Sequence, residues 1–171
     1  KISEIKIRDP YVVVYNNAYY LYKSDYSGSI LVHKSTDLEN WEEAFTVYTF
    51  PENSWKERDL WAPEVHLYKG KYYLFVSSMG KNGKRGTDIA VADTPEGPFL
   101  PITDKPATPE ERSCIDGTLY VEDGVPYIVY SADRYDNYIA EKDCYVGEIW
   151  AQELSEDLKD RVGEPFRLFK S

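Results

Sequence analysis

Apolar and polar residues alternate along most of this chain, in short runs that stop at turn residues. Residues 11–22, "YVVVYNNAYYLY", show the arrangement: two apolar-rich runs with Asn16-Asn17 between them. The same plan returns in "VHLYKGKYYLF" around Lys69-Gly70 and in "LYVEDGVPYIVY" around Asp123-Gly124. Two-residue turns of these types join the strands of hairpins. A period of two with almost no helical periodicity predicts an all-β chain.

The hairpins belong to a longer repeat. Asp9-Pro10, Ala62-Pro63 and Asp116-Gly117 stand at offsets of 53 and 54 residues, and the three turn pairs keep those offsets. Tyr20, Tyr73 and Tyr127 superpose, as do Leu21, Leu74 and Ile128. Val12, Val65 and Leu119 match, and so do Val14, Leu67 and Val121, which makes one face of each first strand apolar. Each unit continues with a third strand ("SILVHKS", "TDIAVAD", "GEIWAQE") and a fourth ("EEAFTVY", "PFLPIT", "PFRLF"). "STDLENW" and "SEDLKD" fill the same slot between strands three and four.

Four strands per unit of roughly 50 residues is the signature of a β-propeller blade. A β-sandwich with chance self-similarity is the competing architecture, and the coincidence of turns, tyrosines and apolar positions favours the propeller. The expected organisation is one domain over 1–171, with blades over about 9–50, 61–103 and 114–171. "ITDKPATPEERS" reads as the link between the second and third. Propellers have about 4–8 blades, so the remaining blades are expected from the rest of a longer chain, or else from another chain.

Composition narrows the partners. The formal net charge of -10 argues against a nucleic-acid backbone. No apolar run is long enough for a membrane-spanning helix. The basic stretch "GKNGKRG" at Gly80–Gly86 lacks the ending of a phosphate-cradling loop and reads as a solvated loop. Tyrosine is abundant, 16 residues, and suits both strands and sugar-sized polar pockets. Cys114 and Cys144 leave pairing open. The compartment is open too, with a secreted or periplasmic setting favoured.

In a propeller the first strand of each blade lines the axis, so Asp9, Ala62 and Asp116 are expected to converge at one mouth. A lone aspartate before a strand usually only starts a turn. Two carboxylates at equivalent positions of a concave, aromatic-rich mouth also suit acid/base chemistry, including glycoside hydrolysis. Trp61 stands at the same mouth, either against a sugar ring or packed between the first two blades. Glu64 is expected to support the site, bracing Arg8 or another base. Arg8 itself either pairs with a carboxylate or is solvated. His33 and His66 are isolated in strands and read as packed or surface residues.

"IRDPYVVVYNNAYYLY", "LWAPEVHLYKGKYYLF" and "CIDGTLYVEDGVPYIVYS", followed by "GEIWAQELSEDLKDRVGEPF", resemble the first three blades of glycoside hydrolase family 43. The resemblance covers nearly the whole chain. It implies a five-bladed propeller acting by inversion on arabinosyl- or xylosyl-containing plant polysaccharides or oligosaccharides. Asp9 matches the family's general base and Asp116 the aspartate that tunes the acid's pKa; Trp61, Glu64 and Arg8 are the accompanying substrate-binding candidates. The family's general acid heads the fourth blade and has no counterpart here. Glu96 and Glu164, each near a Gly and a Pro, lie in expected turns before fourth strands. Some family members hold calcium or a water cluster in the axial channel, but no local pattern here supports a metal or any cofactor.

"SADRYDNYIAEKDCYVGEIW", the tyrosine-rich connection in the third unit, is expected to reach the mouth and shape substrate choice. It departs from the His-Glu-Trp-like stretch of the nearest relatives. The alternatives to a glycosidase are a carbohydrate-binding propeller without catalysis and a protein-interaction propeller.

Overall fold

The computed structural model describes residues 1–134 and 137–170. It contains three four-stranded antiparallel sheets, each a meander whose strands follow chain order. The first is β1 (Tyr11–Tyr15), β2 (Ala18–Ser24), β3 (Ser29–Ser35) and β4 (Phe45–Thr49). The second is β5 (Lys56–Tyr68), β6 (Lys71–Gly80), β7 (Arg85–Ala92) and the two-residue β8 (Leu100–Pro101). The third is β9 (Cys114–Glu122), β10 (Val125–Ala132), β13 (Glu148–Leu154) and β14 (Arg161–Lys170). A small hairpin, β11 (Tyr138–Ile139) and β12 (Cys144–Tyr145), is set into the β10–β13 connection. These are the blades of a β-propeller.

The turn residues explain the meanders. Asn16-Asn17, Lys69-Gly70 and Asp123-Gly124 all have positive φ, at 48° and 59°, 47° and 79°, and 50° and 82°. Positive φ at both central positions matches the right-handed twist of the flanking strands. Leu38 and Leu158 repeat one another in the same way, with φ of 65° and 64°. In both turns a serine hydroxyl meets an aspartate two residues on, Ser35 with Asp37 and Ser155 with Asp157.

The second blade lies between the other two and feeds a core on each side. Leu74, Val76 and Ala90 join Tyr22, Ile30 and Val47 of the first blade. Phe75 and Ile89 join Ile128, Tyr130 and Leu158 of the third. Burial on both faces is why β6 is nearly continuously buried after its first residues. The outer blades are covered on one face. In β1 it is Tyr11, Val13 and Tyr15 that meet the core, whereas Val12 and Val14 are exposed. Leu67 and Val121 are exposed as well, so the apolar face read from the repeat turns away from these cores at those positions.

The seam between the first two blades carries a buried charge pair. Lys56 Nζ lies 2.7 Å from Asp88 Oδ2, and the side chains are 1% and 0% exposed. The Tyr48 hydroxyl donates to the same Asp88 oxygen. β5 begins at Lys56, ahead of the Trp61 motif, and this lysine is tied to β7 of its own blade and, through Asp88, to Tyr48 of the first.

Candidate active site

Asp9, Ala62 and Asp116 share a left-handed backbone, with φ of 51°, 46° and 55°. Aspartate tolerates that conformation through its short polar side chain; for alanine it costs about 1–2 kcal/mol. All three line one open cavity of about 750 Å³, together with Arg8, Trp61, Glu64, Arg85 and Asp133.

Asp116 is held from the second blade. Its backbone N–H donates to Ser77 Oγ at 2.8 Å, and the next N–H, of Gly117, donates to Thr87 Oγ1 at 3.2 Å. A Cβ on Gly117 would stand 2.5 Å from Thr87 Oγ1 and 2.9 Å from Ile128 Cδ1. Only glycine permits this approach, which accounts for Asp-Gly here where the first repeat has Asp-Pro. Asp116 is accessible from the cavity but walled by protein elsewhere. Burial raises its pKa, and the charges of Asp9, Glu64 and Asp133 raise it further, against a smaller opposing effect of Arg8.

Asp9 has Arg8 as its neighbour, Nε to Oδ2 at 3.4 Å, with both side chains well exposed (78% and 49%). A pair so open to water holds the carboxylate only loosely. Glu64 faces His66 rather than Arg8: its Oε2 lies 3.0 Å from His66 Nε2. Burial pushes the Glu64 carboxyl up, but hydrogen bonds from His66 and Thr118 outweigh it and hold the pKa low. The His66 ring is wedged between Phe75, edge-on at 5.4 Å, and Tyr11 at 5.7 Å. His66 is thus packed, as the sequence suggested, and it also has a polar task. The i, i+2 spacing of Glu64 and His66 on one strand face was the available signal.

Trp61 carries the Arg85 guanidinium on its ring, 4.2 Å from the centroid. Arg85 comes from the stretch read as a solvated loop. In the structure only Lys81–Lys84 form the turn, while Gly80, Arg85 and Gly86 are in strands. Arg134 and Gly147, at the two ends of the tyrosine-rich connection, also line the cavity. Tyr135 and Asp136 of that connection lie outside the described residues.

Glu96 is engaged elsewhere, accepting from Tyr20 at 2.9 Å and Lys34 at 2.8 Å. Glu164 lies within β14 rather than in a turn. Neither lines the cavity. Among the described residues no three His, Cys, Asp or Glu side chains are grouped to hold a metal ion. No disulfide joins Cys114 to Cys144.

Fold and mouth together define a β-propeller protein with four-stranded blades and an acidic, aromatic-walled opening. The chain belongs to glycosyl hydrolases family 43, whose profile matches residues 2–171. Its structure is similar to that of an endo-arabinase from Bacteroides thetaiotaomicron VPI-5482, with 37% identity, a TM-score of 0.88, and coverage of 99% of this chain and 58% of that one. It is 36% identical over 77 residues to xylosidase/arabinosidase 43A of Humicola insolens, covering 44% of this chain and 23% of that protein. It is 28% identical over 153 residues to the extracellular endo-alpha-(1->5)-L-arabinanase 2 of Bacillus subtilis (strain 168), covering 80% of this chain and 30% of that protein. The chain therefore spans less than two thirds of the length of each.

Proposed function

We propose that the mouth is part of the active site of an inverting glycoside hydrolase that cleaves arabinosyl or xylosyl linkages in plant-type polysaccharides or oligosaccharides. Asp9 is the general base: it takes a proton from water as that water attacks the anomeric carbon. A carboxylic acid beyond those assigned here protonates the leaving oxygen, about 6.5–9.5 Å from the base in an inverting pair. Asp116 keeps that acid protonated by like-charge repulsion and orients the sugar. Trp61 walls the sugar site, and Glu64 and Arg8 complete its polar lining. The tyrosine-rich connection, whose two ends reach the cavity, contributes to the choice of substrate.

The observation that carries this reading is the convergence of Asp9 and Asp116, from separate blades, on one cavity also walled by Trp61. The test is hydrolysis of aryl-arabinosides and aryl-xylosides alongside binding of arabino- and xylo-oligosaccharides. The 171-residue chain is expected to bind oligosaccharide without turning over, because none of the residues assigned here takes the part of the acid. Turnover abolished by Asp9→Ala would show instead that an acid comes from within the chain or from a second copy. An extended protein whose further blades supply that acid should hydrolyse with inversion at the anomeric carbon, read by proton NMR of the first-formed sugar. Binding with no turnover in that extended protein would favour a carbohydrate-binding propeller.

A further inference from the structure

Trp61 sits between two irregularities of its own strand. The pairing of β5 with β6 slips between Arg58 and Trp61 and again between Trp61 and Glu64. Asp59 and Ala62, on either side, both have positive φ. A strand bulged on both sides of a residue does not fix that side chain's direction through the ladder alone. Trp61 itself stays paired with Ser77, and a side-chain partner adds to what the ladder fixes.

That partner is Arg85, which ties three segments together. Its guanidinium lies over the Trp61 ring at 4.2 Å. Its Nη1 reaches Asp133 Oδ2, beyond the end of β10 in the third blade, at 3.3 Å. Its Nη2 lies 3.8 Å from Asp59 Oδ2. Its backbone N–H donates to Ser113 Oγ at 3.3 Å. The Arg85 and Asp133 side chains are only 16% and 6% exposed, so water screens this pair far less than it screens Arg8 and Asp9.

We propose that Arg85 is a positioning residue that clamps Trp61 as a fixed aromatic wall of the mouth and locks that wall to the third blade through Asp133. A planar, delocalised cation can stack on an indole and pair with a carboxylate at once. Lysine supplies the charge without the plane, so Arg85→Lys separates the two functions. The clamp matters for glycan binding because a pre-oriented ring spends no binding energy on being ordered. That consequence rests on the reading of the mouth as a glycan site; the clamp itself does not.

The test uses 5-fluorotryptophan, which gives one fluorine resonance for each of the four tryptophans, with Trp61 assigned by its loss in Trp61→Phe. Arg85→Lys is expected to shift and broaden the Trp61 resonance while the other three stay in place. It should also weaken arabino- or xylo-oligosaccharide binding about fivefold to tenfold. If Arg85→Lys does not fold, Asp133→Asn is read in the same way, since it keeps the guanidinium and loosens only its tether. A Trp61 resonance unchanged in the variant overturns the clamp. If the parent chain binds neither oligosaccharide, the glycan reading fails, and the fluorine spectrum still decides whether the clamp exists.

Discussion

Asp9, just ahead of β1, and Asp116, within β9, share a left-handed backbone conformation, and the charge of Asp9 raises the pKa of Asp116 across a shared cavity. Their relationship is electrostatic as well as geometric, and it can be measured directly. Asp9→Asn should lower the Asp116 titration midpoint, and Glu64→Gln should lower it less, following the order of their effects. Arg8→Gln should raise it. Carboxyl carbon NMR across the acid range reads all three.

Asp116 also makes stability depend on pH in an unusual direction. Its folded-state pKa lies above that of the unfolded chain, so folding favours the protonated carboxyl. Its destabilising effect is absent below the unfolded value of about 3.9 and grows as pH rises through the folded value. Asp116→Asn should therefore be more stable than the parent at pH 7, with the pH-dependent part of the gap gone by about pH 3. Urea titrations at several pH values check this.

Ala62 occupies the slot that Asp9 and Asp116 fill in the other blades, with φ of 46° and no polar side chain to ease it. Ala62→Gly should stabilise the fold by about 1 kcal/mol. For a chain of this size that corresponds to a rise of about 2–4 °C in melting temperature.

The Lys56–Asp88 pair should respond asymmetrically. Lys56→Met leaves a buried carboxylate without its cation and should cost about 3–5 kcal/mol. The double variant Lys56→Met/Asp88→Leu removes both charges and should recover most of that loss. Equilibrium denaturation of the single and double variants gives the comparison.

The blades were legible because they repeat. The three two-residue turns and the two Ser-x-Asp-Leu turns each encode a local conformation, the Tyr20–Tyr73–Tyr127 set keeps the spacing of the former, and the recurrence makes coincidence a poor explanation. The convergence of Asp9 and Asp116 followed from the same repeat. The clamp on Trp61 was not legible, because Arg85 reaches it from a different strand and no periodicity links the two. The basic setting of "GKNGKRG" also disguised Arg85 as a solvent-facing residue, since charge alone does not show which member turns inward. The exposure of Val12 and Val14 was missed for a related reason: alternation marks the two faces of a strand but not which one meets a neighbouring blade. "PFLPIT" narrowed to Leu100–Pro101, where proline limits the strand's donors.

The most direct test of the glycan site is a calorimetric titration of the 171-residue chain with arabino- and xylo-oligosaccharides, repeated with Trp61→Ala. Saturable binding to the parent that weakens at least tenfold in Trp61→Ala is the predicted result, since the substitution removes the apolar indole face against which the C–H groups of a sugar ring would pack; tenfold is about 1.4 kcal/mol. Binding that is absent from the parent, or equal in the two proteins, would contradict the assignment of the mouth as a sugar site.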